Sequence, residues 1–168
     1  KVGPDIHISL EQKFYAEKDG VPQIGLKKIN LNKTFTYEGE WNSACGDLIF
    51  DGDCEIVGTI EGKVKIKTSG NLKVSGLIQG ASILCGKDIN CFGAVITGQD
   101  GFLKAGGNIY ANFVENSILQ SNQSIIIEKS IINSKVIAKG SIIIKNTTSG
   151  IISGGLINAQ EYVKTAYL

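Results

Sequence analysis

The stretch SIII occurs twice in this chain, first at Ser124 and again 17 residues later at Ser141. Successive side chains of a β-strand point to opposite faces, so Ile125 and Ile127 of the first copy form an apolar pair on one face of a short strand. Comparable pairs recur at intervals of 15 to 20 residues, at Cys54 and Ile56, Leu72 and Val74, Ile89 and Cys91, Ile109 and Ala111, Ile142 and Ile144, and Ile157 and Ala159. Such a repeat is typical of a solenoid, in which each turn of chain stacks on the turn before it.

Each repeat contains two further short apolar strands. One precedes the pair by about six residues, with inward positions at Leu48, Ile66, Ile83, Leu103, Leu119, Val136 and Ile151, and the other follows it at Ile60, Ile78, Val95, Val114 and Ile131. The uneven intervals favour a right-handed coil over a left-handed solenoid with a strict six-residue rhythm. The sequence therefore predicts an all-β fold, a right-handed parallel β-helix of about seven triangular turns of ~17 residues, over residues 44–168.

Polar residues mark one corner of every predicted turn. They are often preceded by glycine and occupy positions Asp53, Asn71, Asp88, Asn108, Ser124 and Ser141. Because Asn, Asp and Gly tolerate left-handed backbone angles, we expect tight bends there.

Residues 1–43 do not follow the repeat. Alternating segments such as KINLNKTFTY and a turn at EKDGVP predict a small N-terminal β-hairpin element. Since the end of a solenoid exposes unpaired strand edges, we expect this element to cap it. The chain starts at Lys1 without methionine, so we expect it to be a piece of a longer protein.

The composition argues against nucleic acid and membrane insertion. The formal net charge is +1, every basic residue is lysine, and no apolar stretch is long enough to cross a bilayer. The four cysteines, Cys45, Cys54, Cys85 and Cys91, lack CxxC spacing and fit reduced core residues better than a disulfide framework or a metal site. These features favour a cytoplasmic protein without a cofactor.

Enzymatic chemistry has two weak candidates in this sequence. The acidic group Asp47, Asp51, Asp53 and Glu55 could form a catalytic or calcium site. However, Asp53 belongs to the corner positions, and Asp47 and Glu55 lie one turn before Lys65 and Lys73, so a structural role is favoured. His7, the single histidine, lies outside the repeat and is expected to be an exposed strand residue. We therefore expect no enzyme and no small-molecule substrate.

Several stretches resemble a known family. The repeated Gly-Asp/Asn-Ile units, the segment AGGNIYANFVENS at 105–117 and the segment GGLINA at 154–159 resemble the flagellar assembly protein A (FapA) family. The resemblance implies a cytoplasmic bacterial protein with a right-handed β-helix and a role in flagellar assembly. The solenoid is also similar to bactofilins, which polymerise end to end. The family offers no catalytic motif to carry over.

Two outward columns of the predicted solenoid turn apolar towards its C-terminal end. One contains Tyr110, Ile126 and Ile143, and the neighbouring one contains Ile137 and Ile152. Contiguous exposed apolar surface usually marks an interface, so these five residues form the predicted partner surface. Alternatively, the tail EYVKTAYL or a further C-terminal segment covers it.

These expectations combine into a function. The sequence predicts a non-catalytic scaffold that acts in flagellar assembly through protein partners or self-association. A self-polymerising cytoskeletal module similar to bactofilins is the alternative.

Overall fold

The computed structural model describes residues 6–8, 14–16, 21–25 and 28–166, with side chains from residue 33 onward. Regular secondary structure in this part of the chain is entirely β-strand. The strands are β1 Ile6–Ile8, β2 Phe14–Ala16, β3 Val21–Gly25, β4 Lys28–Asn32, β5 Thr34–Glu38, β6 Leu48–Phe50, β7 Asp53–Val57, β8 Ile60–Glu61, β9 Lys65–Thr68, β10 Leu72–Val74, β11 Ile78–Gln79, β12 Ser82–Cys85, β13 Ile89–Ile96, β14 Phe102–Ala105, β15 Ile109–Glu115, β16 Ile118–Ser121, β17 Ile125–Ile127, β18 Ile131–Ala138, β19 Ile142–Ile144, β20 Ile152–Ala159 and β21 Val163–Lys164.

The N-terminal strands form two antiparallel pairs, β1 with β2 and β3 with β4. His7 lies in β1 opposite Tyr15, but its predicted exposure and the turn at 17–20 lie outside the described residues. Strand β5 instead pairs in parallel with β7. The solenoid sheet therefore begins at Thr34, ahead of the boundary at residue 44 that the sequence suggested. The capping role of the hairpins stays a prediction.

The solenoid consists of three parallel ladders, which we call its faces. The first face contains β6, β9, β12, β14, β16 and the C-terminal halves of β18 and β20. The second contains β5, β7, β10, β17, β19, β21 and the N-terminal halves of β13 and β15. The third contains β8, β11 and the remaining halves of β13, β15, β18 and β20. The predicted β-solenoid of about seven turns is confirmed, while the hand of the coil stays a prediction.

The core fills the space between the three faces. Pairs of inward residues stack on their counterparts one turn away, as Ile125 does on Ile142 and Ile127 does on Ile144. All four side chains are fully buried. Burying an isoleucine side chain contributes about 1.5–3 kcal/mol, so these columns supply the main drive for coiling.

Aromatic side chains close the N-terminal end of the core. Phe35 packs edge-to-face against Trp41, at 5.7 Å between ring centroids, and lies 5.9 Å from Phe50. Tyr37 also contacts Trp41 edge-to-face at 4.9 Å, and the Trp41 indole N–H donates to the carbonyl of Gly46. Phe35, Tyr37 and Trp41, which the sequence assigned to the N-terminal element, thus pack into the first turn of the solenoid.

The polar corner is held by a ladder of hydrogen bonds between turns. In each step the backbone N–H of one corner residue donates to the side-chain oxygen of the corner residue one turn earlier. We call this series the corner ladder; it contains Asp53, Asn71, Asp88, Asn108, Ser124 and Ser141. The expected left-handed bends are absent from these six residues, so that explanation of their identity was wrong.

Glycine precedes the corner ladder for a steric reason. A Cβ atom on Gly107 would collide with Oδ1 of Asp88, and one on Gly70 would collide with Oδ1 of Asp53. The accepting oxygen therefore occupies the place where a side chain would begin.

Left-handed backbone occurs instead where the third face turns into the first. Asn116 and Asn133 both have φ of 46°, and Gly154 follows in the same column with φ of 67°. Asparagine and glycine adopt this region most readily, which explains their presence at this second corner.

The last turn differs from the predicted register. Ile157 and Ala159 pair with Val136 and Ala138 on the first face, while Val163 pairs with Ile142 on the second. The cause is an inserted loop at residues 145–150, in which Oδ1 of Asn146 accepts the backbone N–H groups of Thr148 and Ser149. Because the loop forms no strand of the ladder, the next repeat begins later than its spacing suggests.

Candidate interaction surface

Tyr110, Ile126 and Ile143 stack in register on three consecutive strands of the second face, as predicted. We call these three residues the outward stack. Each lies between two inward, fully or largely buried neighbours, and each is itself half-buried. Strands in a sheet are about 4.8 Å apart, so each stacked side chain covers part of the next. The outer surface of these strands is therefore apolar over three turns, until Lys164 follows Ile143.

The C-terminal tail does not cover this surface within the described residues. Val163 and Lys164 form the next strand of the same ladder, so the tail up to residue 166 extends the solenoid instead of folding back across it. The predicted cover by the tail is thus wrong for this part, and Tyr167 and Leu168 lie outside the described residues.

A shallow pocket of about 340 Å³ adjoins the outward stack. Its walls include Phe92, Tyr110 and Asn112, together with Glu128 and Lys145, which form an ion pair of 2.6 Å. Phe92 is 61% exposed although it is a large aromatic residue. Phe92 was not among the predicted surface residues, because it comes directly after the inward Cys91 and so lies outside the column between the inward residues. The same alternation would have placed its side chain outside.

The remaining two predicted surface residues do not join the outward stack. Ile137 points outward, but it lies on the first face between Gln120 and Asn158. Ile152 points inward on the third face, pairs with Ile131 and is only 5% exposed. Its assignment to the surface was wrong, because the inserted loop at residues 145–150 shifted the register of the last turn.

Each carboxylate of the acidic group contacts the next turn. Asp47 accepts the backbone N–H of Lys65, Asp51 accepts the hydroxyl of Ser69, and Asp53 begins the corner ladder. Glu55 forms an ion pair of 2.7 Å with Lys73, as the sequence suggested. In the part of the chain that the structure describes, no group of three or more His, Cys, Asp or Glu residues is arranged to hold a metal ion.

Three of the four cysteines pack in the core, as expected. Desolvation raises the pKa of the Cys85 and Cys91 thiols to about 11, so both stay protonated at neutral pH. Cys85 donates to the carbonyls of Gly70 and Asp88, and Cys91 to that of Gly76. Cys45 is exposed.

Among the described residues, none belongs to a helix with the length and apolarity needed to span a bilayer.

Comparison with known proteins identifies the family. The model of the flagellar assembly protein A (FapA) β-solenoid domain matches residues 33–168, a range that begins one residue before the first solenoid strand. No curated protein and no solved structure matches the chain. The family match covers most of the sequence, and the three-ladder solenoid agrees with its description. The chain therefore belongs to the FapA family and is a flagellar assembly-related protein.

Proposed function

We propose that this chain is a non-catalytic cytoplasmic scaffold of flagellar assembly that binds partner proteins through the second face of its solenoid. The observation that carries the proposal is the outward stack, which places three apolar side chains in register on adjacent strands. Soluble surfaces rarely keep such contiguous apolar columns unless another surface packs on them.

The surroundings of the stack support a protein interface. Phe92 and Tyr110 are aromatic, and aromatic residues are enriched at the centres of interfaces. The neighbouring charges of Glu55 with Lys73 and of Glu128 with Lys145 are already paired, so they form a polar rim without a free charge in the middle. A rigid solenoid also presents this surface without the entropic cost of ordering a loop.

The test is the double substitution Ile126→Lys with Ile143→Lys. Both side chains point away from the core, so the variant is expected to keep its fold and to lose partner binding. Wild type and variant are used as bait in cells with flagella, and the captured proteins are compared. The matched control is Gln79→Lys with Ser153→Lys, which adds the same charge at exposed outward positions of the third face.

Two results would contradict the proposal. If the double variant captures the same proteins as wild type, the outward stack does not bind the partner. If both forms assemble into filaments whose length grows with concentration in sedimentation experiments, the self-polymerising module is the better description. Circular dichroism of the variant checks that the solenoid remains folded.

A further inference from the structure

The first face carries an uneven charge distribution that the proposed function does not use. Outward positions of its strands contain four lysines and no acidic residue. The four are Lys65, Lys67, Lys104 and Lys135, all exposed. The ion pairs found among the described residues use other lysines, namely Lys63, Lys73 and Lys145. The outward side of these strands is therefore locally basic, although the chain as a whole has a net charge of only +1.

Aliphatic side chains alternate with the lysines in the same column. Ile49, Lys67, Leu84 and Lys104 follow one another on consecutive strands. Ile49 is 80% exposed and Leu84 is 40% exposed. All four line a surface groove of about 500 Å³, and an adjoining groove of about 250 Å³ shares Ile49, Lys67 and Leu84. We call this column the basic groove.

We propose that the basic groove binds an acidic amphipathic helix of a partner protein. This inference goes beyond the proposed scaffold function, because it assigns a second surface on a different face. A ligand for the groove must supply carboxylates opposite Lys67 and Lys104 and apolar side chains opposite Ile49 and Leu84. Two acids, Asp47 and Asp51, flank the first strand and line the two grooves, each accepting a hydrogen bond from the next turn. The carboxylates of the ligand must therefore lie away from this end, towards Lys67 and Lys104.

The spacing of the strands fits a helix that lies along the solenoid axis. Adjacent strands are about 4.8 Å apart, and one helical turn rises about 5.4 Å. A helix therefore places apolar residues at i and i+7 opposite Ile49 and Leu84, and acidic residues at i+4 and i+11 opposite Lys67 and Lys104. The mismatch of about 0.6 Å per turn is within the reach of a flexible lysine side chain.

An added β-strand fits this place poorly. Strand β9 already pairs with β6 and β12, and β14 pairs with β12 and β16, so their backbone groups along the groove are engaged on both sides. The partner must therefore bind through side chains. A single-stranded nucleic acid would need a series of aromatic platforms for its bases. The column is aliphatic at Ile49 and Leu84, and Phe102 is the one outward aromatic residue that lines either groove.

The experiment uses the full chain and a fluorescent helical peptide of about 18 residues, long enough to form several turns. Its sequence repeats Leu at i and i+7 and Glu at i+4 and i+11. Fluorescence anisotropy is expected to show binding that weakens at least tenfold in Lys67→Glu with Lys104→Glu. Raising the ionic strength from about 0.05 M to about 0.5 M should weaken binding as well, because exposed charges are screened. A peptide with Lys in place of Glu, and one with Ala in place of Leu, should each bind at least tenfold more weakly.

The controls separate this site from the outward stack. Lys129→Glu with Lys139→Glu makes the same change of charge at exposed positions outside the groove and should retain binding. Ile126→Lys with Ile143→Lys should also retain it, even if that variant loses its flagellar partner. If the lysine variant unfolds, Lys67→Gln with Lys104→Gln replaces it. Equal binding of all variants, no binding of the acidic peptide, or tighter binding of an oligothymidylate or of phosphatidylglycerol vesicles would overturn the proposal.

Discussion

Replacing Asn108 by valine tests whether the corner ladder stabilises the solenoid. Oδ1 of Asn108 accepts the backbone N–H of Ser124 at 3.1 Å, and its Nδ2 donates to Oε1 of Gln123 at 2.9 Å. Valine removes both bonds but leaves the N–H of Asn108 bonded to Asp88. The N–H of Ser124 then loses its acceptor at a half-buried corner.

The expected loss follows from that one backbone group. Leaving a buried donor without an acceptor costs about 1–3 kcal/mol, whereas the exposed bond to Gln123 contributes less. Backbone strain adds nothing, because Asn108 lies outside the left-handed region. For a domain of this size each kcal/mol lowers the melting temperature by roughly 2–5 °C, so calorimetry resolves the change. Amide hydrogen exchange should locate the loss at Ser124.

The matched variant is Asn108→Ser. The ladder itself shows that serine is a competent acceptor, because Oγ of Ser124 accepts the N–H of Ser141 at 3.1 Å. We expect Asn108→Ser to lose less than half as much stability as Asn108→Val. Equal stability of the two variants, or no loss in either, would refute the view that the side-chain oxygen of Asn108 holds the corner.

Further substitutions and measurements test other contacts of the solenoid. Gly107→Ala should destabilise the chain by about 1–3 kcal/mol, because the new Cβ collides with Oδ1 of Asp88. The loss should be clearly smaller in an Asp88→Ala background, where that oxygen is absent. Urea unfolding of wild type, the two single variants and the double variant measures both effects. In native protein at pH 8, a thiol reagent should modify Cys45 first, and the three buried cysteines only on unfolding. Burial raises the pKa of Cys85 and Cys91 from 9.0 to about 11. The contribution of these two thiols to stability is therefore complete below pH 9 and is lost as the pH rises through 11. Replacing both in Cys85→Ala with Cys91→Ala should reduce this dependence of the unfolding free energy on pH. Lys63→Ala should leave the unfolding midpoint unchanged, since its ion pair with Asp100 is fully exposed to solvent.

The sequence predicted the fold because the solenoid repeats one simple physical requirement. Every turn needs inward apolar residues at fixed positions, so alternation and spacing place columns such as Cys54, Leu72, Ile89 and Ile109 correctly. The rule failed where a segment leaves the ladder. Ile151 and Ile157 both match the local alternation, and only the turn centred on Asn146 decides which of them belongs to the first face.

The candidate surface was predictable only in part. Tyr110, Ile126 and Ile143 follow from alternation within strands whose register was correct, whereas the error at Ile152 follows from the inserted loop.

The role of the corner residues could not be predicted from the sequence, because hydrogen bonds between turns depend on where side-chain oxygens lie in space. Glycine before Asp or Asn looks the same in a sequence whether it serves a left-handed bend or makes room for an acceptor.

The solenoid keeps the two proposed surfaces separate by construction. Each face displays its own set of repeat positions on its outside, so lysines at those positions place their charge on that face alone. The corner ladder lies between the first and second faces and joins successive turns along the axis. A partner on the outward stack and a helix in the basic groove therefore approach from different sides, and neither has to displace the other. With both surfaces occupied, the chain would hold two proteins at a fixed separation, as a scaffold protein does.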